Sequence, residues 1–269
     1  MGRVDLAGAV LWRVVRPIDR GLMARLWWAR ERRSGDRALE VVDRVVRPGD
    51  VALDVGANFG FFAYRLARLV GPDGEVHAFE PHPAQRESLT RIEATRPNVR
   101  FHAVALSARP GGAQMVVPRV EGSPDVALAT LEQRSGETDR VDVAVETLDR
   151  LLGELGRPVA FVKCDVEGHE RAVLEGAVAL LERDAPTLLV EIEQRHQHDD
   201  IRSTFALLDE MGYDGYAVRR EGLAPVSEFD LERDQLRFVR AEPDATAMPP
   251  DYVNDFLFVS PRRSLDLPV

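Results

Sequence analysis

Val51 to Pro81 reads VALDVGANFGFFAYRLARLVGPDGEVHAFEP, and its punctuation decides the fold. An apolar strand (Val51 to Val55) runs into a glycine turn (Gly56 to Gly60). A helix (Phe61 to Val70), a Pro-Asp-Gly turn and a second strand (Glu75 to Phe79) follow, ending at Glu80. That order is half of a nucleotide-binding βαβ unit. Gly56 and Gly60 let the backbone turn sharply and approach a ligand, and free amides at the helix start are expected to hold an anion. Asp54 and Glu80 fall at strand ends, and the carboxyl ends of parallel strands are where such sheets bind ligands.

An acid after the second strand can accept both hydroxyls of a ribose, so the spacing fits an adenosine-containing molecule. A dinucleotide fold places G-x-G-x-x-G at this turn, with a pyrophosphate on the helix start. Here the turn is Gly56-Ala57-Asn58-Phe59-Gly60, without the middle glycine. Asp54 would repel a pyrophosphate and attract the ammonium of a methionine-like ligand. The stretch therefore points to S-adenosylmethionine rather than NAD.

Further words recur at intervals along the chain: DVGANFG (Asp54 to Gly60), FEP (Phe79 to Pro81), ETLD (Glu146 to Asp149), VKCDVEGHE (Val162 to Glu170) and VEIE (Val190 to Glu193). In order and approximate spacing these resemble the FkbM-type methyltransferases, which depend on S-adenosylmethionine. The resemblance implies a class I, Rossmann-like α/β fold with a mainly parallel seven-stranded sheet, here with an N-terminal helical extension. It also implies O-methylation of a hydroxyl on a sugar, glycan or polyketide-like acceptor. By motif match Asp54, Gly56, Ala57, Asn58, Gly60, Glu80 and Pro81 bind the cofactor, and Asp165 lies close to the methyl donor. In this fold the end of the third strand borders the adenine, which brings in Ala105 and Leu106.

Composition narrows the classes. The chain has 269 residues, 45% of them hydrophobic, enough for one α/β domain with additions. A net charge of -10 argues against general nucleic-acid binding, because phosphates demand a basic surface, so a small-molecule or glycan acceptor is expected. Cys164 is the single cysteine, so no internal disulfide can form. Neither a secretory apolar region nor a long uncharged segment is evident, and a cytoplasmic location is the expectation.

The expected organisation is a helical extension over residues 1–48 and a catalytic domain over 49–269. Val4, Leu11, Val15, Ile18, Leu22 and Leu26 form a helical stripe. Eight arginines stand against three acids between residues 3 and 33, a local excess of about +5, with Trp27 and Trp28 near the end. The ordinary reading packs this arm on its own domain or on a partner subunit, a second copy included. The alternative lays it on an anionic membrane surface. Ala38 to Val46 is a short helix leading into the first strand. After Glu80 come a helix over 83–95 and a third strand over Val99 to Leu106. Residues 108–145 break the helix–strand rhythm and are expected to form a lid. Thr147 caps a helix running through Leu155. Then follow a strand (Val159 to Asp165), a helix (Glu170 to Glu182), a strand (Thr187 to Glu193), a helix (Ile201 to Met211) and a final antiparallel pair (Tyr213 to Val218 and Phe256 to Val259).

Strand alternation puts Phe161, Lys163 and Asp165 on one face and Val162 with Cys164 on the other. Charge on a sheet covered from both sides must be paired or functional. Lys163, the only lysine in the chain, is expected either to pair with Glu191 or Glu193 or to take part in catalysis. An acceptor hydroxyl needs its proton withdrawn, and the candidate bases are Asp165, His169 and His196. Glu167 faces the acceptor or caps the helix that His169 begins, and His169 has the same capping alternative. His196, His198, Asp199 and Asp200 read as a solvated loop; with Asp165 or Glu193 they could hold a divalent metal, although their spacing specifies none. Cys164 reads as a core residue. The rival functions are a non-catalytic adenosylmethionine-binding subunit and an NAD-dependent enzyme.

Overall fold

The computed structural model describes residues 37–120, 122–134, 136–241 and 248–263. The arginine-rich arm lies outside them. In chain order the main elements are α1 (Arg37–Val45), β1 (Val51–Val55), α2 (Phe61–Val70), β2 (Glu75–Phe79), α3 (Pro83–Thr95), β3 (Val99–His102), β4 (Ala105–Leu106), β5 (Gly111–Val120), β6 (Ser123–Pro124), β7 (Thr138–Glu146) and α4 (Leu148–Leu152). They continue with β8 (Val159–Cys164), α5 (Glu170–Glu175), α6 (Val178–Asp184), β9 (Thr187–Glu191), α7 (Arg202–Glu210), β10 (Asp214–Arg219), β11 (Gly222–Pro225), α8 (Arg237–Ala241) and β12 (Asp255–Val259).

Among the described residues eight strands form the main sheet, in the order β11-β10-β12-β9-β8-β1-β2-β3. The pairs from β3 through β9 are parallel, and those joining β9, β12, β10 and β11 are antiparallel. The sheet is thus mixed and has one strand more than the expected seven. The additional strand is β11, which turns back from β10 and ends at Pro225. Proline has no amide to donate, so this strand can stand only at an edge.

Period-two alternation sends each strand's residues into two separate cores. Leu53, Val55, Val162, Cys164, Val190 and Phe256 pack with α5, α6 and α7. Ala52, Phe161, Leu189 and Leu257 pack with α1, α2 and α3. Phe161 and Val162 fall on opposite sides as strand alternation requires, and Cys164 is a buried core residue. The order reverses direction at β1: β2 and β3 lie to one side, β8 and β9 to the other. A crevice opens at the carboxyl ends of strands at such a switch point.

Three expectations are corrected. The third strand breaks at Ala103 and Val104, and β4 pairs with β7 in a second sheet instead of continuing β3. Residues 108–145 are irregular only between β6 and β7: β5 and β7 form a long antiparallel hairpin within a four-stranded sheet, β4-β7-β5-β6. The helix expected over 170–182 is two helices, broken at Gly176, where an added Cβ would overlap the carbonyl oxygen of Ser107.

The word ETLD is a double cap. The Thr147 hydroxyl accepts the Arg150 amide at 3.1 Å. Asp149 accepts the amides of Ala179 and Leu180 at 3.0 and 2.8 Å, satisfying the start of α6 from a neighbouring helix. Asp149→Ala should therefore lower the stability of the folded protein by about 1–2 kcal/mol, read as a lower urea midpoint with an unchanged slope.

Candidate active site

The glycine turn is fastened to the end of β2. Gly56 and Ala57 both donate to the Phe79 carbonyl, at 3.1 and 3.0 Å, and Gly60 donates to Ala57 at 2.7 Å. The amide of Asn58, a residue held at φ 48°, donates to Glu80 Oε2 at 3.0 Å, and its side-chain oxygen accepts from Gln85 at 2.9 Å. The amides expected to cradle an anion are consequently spent inside the turn. Glu80 Oε1 also accepts the His82 amide at 2.8 Å. Each carboxylate oxygen retains a second acceptor position for a hydroxyl.

Gly56 (φ 79°) lies where β1 meets the loop after β8: a Cβ there would overlap the Asp165 carbonyl oxygen and sit 2.8 Å from its carbon. A cavity opens beside this contact. Gly56, Asn58, Glu80 and Pro81 line one part of it, Val104, Ala105 and Leu106 another, and Asp165, Glu167 and His169 a third. Met115 of β5 and the segment from Val126 to Leu131 close the remaining side.

Burial dominates the electrostatics. Asp54 is 1% exposed, and neither carboxylate oxygen makes a hydrogen bond of normal geometry. Burial pushes its pKa up to about 6, against the pull of Lys163 and the Ala63 amide. Burial likewise lifts Glu80 to about 7, opposed by its two amide donors, and Glu170 to about 7. Glu170 holds the loop after β8, accepting the amides of Val166 and Gly168 at 3.1 and 2.9 Å. Burial would lower the Lys163 ammonium, yet Asp165, Glu191 and Asp54 keep it above its ordinary value. Its hydrogen-bond partner is Asp165, at 2.8 Å, rather than Glu191 or Glu193. It also stands over the Phe62 ring, 4.7 Å from the centroid.

Asp165, Glu167 and His169 thus meet at one wall, with Lys163 behind Asp165. Glu191 does not line the cavity; it is half-buried at the end of β9, accepts from Asn254 at 2.8 Å and is pushed well up by desolvation. His196 stands behind Glu167, its Nδ1 2.5 Å from Oε2. Glu193 pairs with Arg195 at 2.7 Å. Among the described residues no three His, Cys, Asp or Glu side chains converge as a metal site. His169 precedes α5 without capping it. Its Nδ1 lies 2.6 Å from Glu132 Oε1 and its Nε2 2.9 Å from Ser107 Oγ.

Ser107, Met115, Thr130, Glu132 and Arg134 escaped the reading of the sequence. They reach the site through the second sheet and its connecting segment, and no spacing in the chain announces that contact. Thr130 Oγ1 donates to Val166 O at 3.4 Å, and Arg134 donates to Glu167 O at 2.9 Å. Among the described residues no helix is long and apolar enough to cross a membrane.

A sheet that reverses order at a glycine turn, with a buried acid before the turn and another after the next strand, defines a class I methyltransferase-like α/β fold. The Methyltransferase FkbM domain matches residues 54–214, more than half of the chain. The chain belongs to this family of methyltransferases. It is 32% identical to the 31-O-demethyl-FK506 methyltransferase FkbM of Streptomyces tacrolimicus, over 57% of this chain and 68% of that protein. It is 27% identical to the hexuronic acid methyltransferase AglP of Haloferax volcanii, over 69% and 72%. The crystal structure of methyltransferase FkbM from Methylobacillus flagellatus KT aligns at 16% identity and a TM-score of 0.47. That alignment takes in 80% of this chain but about half, 48%, of the other.

Two outcomes follow from the geometry. Gly56→Ala forces the ends of β1 and β8 apart and should destabilise the protein by more than about 3 kcal/mol, read by denaturant unfolding. Asp54 binds its proton more tightly folded than unfolded, so its contribution to stability is complete below pH 3.8 and is lost as the pH rises to about 6. Asp54→Asn removes that loss: the variant should match the wild type near pH 4 and exceed it by up to roughly 3 kcal/mol above pH 6. Unfolding curves across this range check it; a difference independent of pH would contradict the raised pKa.

Proposed function

We propose that this protein transfers a methyl group from S-adenosylmethionine to a hydroxyl of a sugar, glycan or polyketide-like acceptor. The observation that carries the reading is the buried, unpartnered carboxylate of Asp54, immediately before the cavity-lining Val55 and Gly56. A buried charge without a partner is costly, and a cationic ligand relieves it. S-adenosylmethionine carries an ammonium and a sulfonium. A dinucleotide's pyrophosphate would meet amides already spent on Phe79 and Glu80 beside three buried acids.

The residues present fit the donor. Asp54 would face its positive charge, the free acceptor positions of Glu80 would take the ribose hydroxyls, and Val104, Ala105 and Leu106 would flank the adenine. When bound, the donor supplies an electrophilic methyl carbon. Lys163 holds Asp165 in place at the neighbouring wall. Met115 and the segment from Val126 to Leu131 exclude water, and the same enclosure aligns an acceptor oxygen, which can contribute much of the rate. The two relatives are named for methyl transfer to 31-O-demethyl-FK506 and to hexuronic acid, which supports a hydroxylated acceptor.

Calorimetric titration with S-adenosylhomocysteine and, separately, NAD tests the donor. Binding of the former alone is expected. A folded protein that takes up NAD, or neither compound, would remove the reading. A screen of methyl hexopyranosides and polyhydroxylated macrolactones with labelled donor, run with and without a chelator, then examines the acceptor and any need for a metal.

A further inference from the structure

Resting on the methyl-transfer reading above, we propose that Nε2 of His169 takes the acceptor's hydroxyl proton and that Glu132 is the positioning residue that prepares it. Glu132 lies 2.6 Å from Nδ1, and its hydrogen bond to His169 holds its carboxyl below the usual range. An ionised carboxylate only accepts, so Nδ1 carries the proton and the Nε2 lone pair is free to receive one. A hydroxyl already stands at that lone pair: Ser107 Oγ, at 2.9 Å. An acceptor hydroxyl entering the cavity that His169 lines has the same geometry to adopt by displacing Ser107. The rival bases are otherwise engaged, Asp165 by Lys163 and His196 by Glu167 behind the cavity wall.

The arrangement is assembled from three separate parts of the chain. Ser107 follows β4, His169 follows β8, and Glu132 directly follows the segment that walls the cavity. The chain is tied to the 166–169 loop on both sides of Glu132, by Thr130 to Val166 O and by Arg134 to Glu167 O. The stretch that walls the cavity therefore also carries the partner of the base. The charged and titratable groups around His169 are Glu132 and Arg134 from this segment, His196 and His198 from the loop after β9, and Asp165, Glu167 and Glu170 on its own loop.

The step balances without a further reactant. The acceptor oxygen bonds to the methyl carbon as the carbon–sulfur bond of the donor breaks, its electron pair remaining on sulfur, which passes from sulfonium to neutral thioether. The hydroxyl proton goes to Nε2, the resulting imidazolium faces the Glu132 carboxylate, and the proton then leaves to water.

The test pairs spectroscopy with kinetics. In imidazole ¹⁵N spectra of the folded protein with S-adenosylhomocysteine, the neutral His169 signal, assigned by its loss in His169→Gln, should show Nδ1 protonated and Nε2 bare. Using whichever pyranoside or macrolactone the wild type methylates, His169→Gln should lose about 10²- to 10⁴-fold in kcat while binding S-adenosylhomocysteine within threefold of the wild type. Glu132→Gln should shift the acid limb of the kcat profile, and Glu132→Asp should restore it. A proton on Nε2 in the neutral ring, an acid limb unmoved in Glu132→Gln, or an unchanged kcat in His169→Gln would each overturn the proposal. Failure of the wild type to bind S-adenosylhomocysteine would instead remove the donor assignment.

Discussion

The contact on which the molecule depends is between two backbones: Gly56 at the end of β1 and the carbonyl of Asp165 at the end of β8. Only a residue without a side chain permits that approach. It brings the glycine turn against the loop carrying Asp165, Glu167 and His169, and it sets Asp54 beside Lys163 in the strand register. Two pieces of chain more than a hundred residues apart become opposite walls of one cavity.

Around that contact the protein buries more negative than positive charge. Asp54, Glu80, Glu167 and Glu170 are each pushed upward by burial, and the chain's single lysine stands among them. Lys163 offsets Asp165 directly and acts on Asp54 and Glu191 through the low-dielectric interior. The residual negative charge suits a cationic ligand and opposes an anionic one. Strain and unrelieved charge of this kind are kept at sites where a ligand completes the structure.

The second sheet converts this open crevice into an enclosed site. β5 and β7 carry Met115 and the segment from Val126 to Arg134 over the strand ends, where backbone and side-chain hydrogen bonds seat it on the 166–169 loop. The part of the protein that encloses the cavity thereby also sets Glu132 against His169.

The sequence by itself determined the βαβ core and both faces of the central strands. Each of these rests on local rules: glycine where the backbone must take positive φ, period-two alternation along a strand, a cap at a helix start. Thr147 capping its helix and Phe161 opposite Val162 were legible for the same reason. The tertiary structure alone decided which charges meet. Lys163 pairs with Asp165 two residues on, not with Glu191, and the register sets it beside Leu189. It alone decided that the turn's amides are satisfied by β2, that an eighth strand closes the edge, and that residues 108–145 form a sheet. Above all it brought Glu132 and Ser107 to the two nitrogens of His169. Such meetings depend on contacts between elements far apart in the chain, and no periodicity within a segment encodes the partner it will find across the fold.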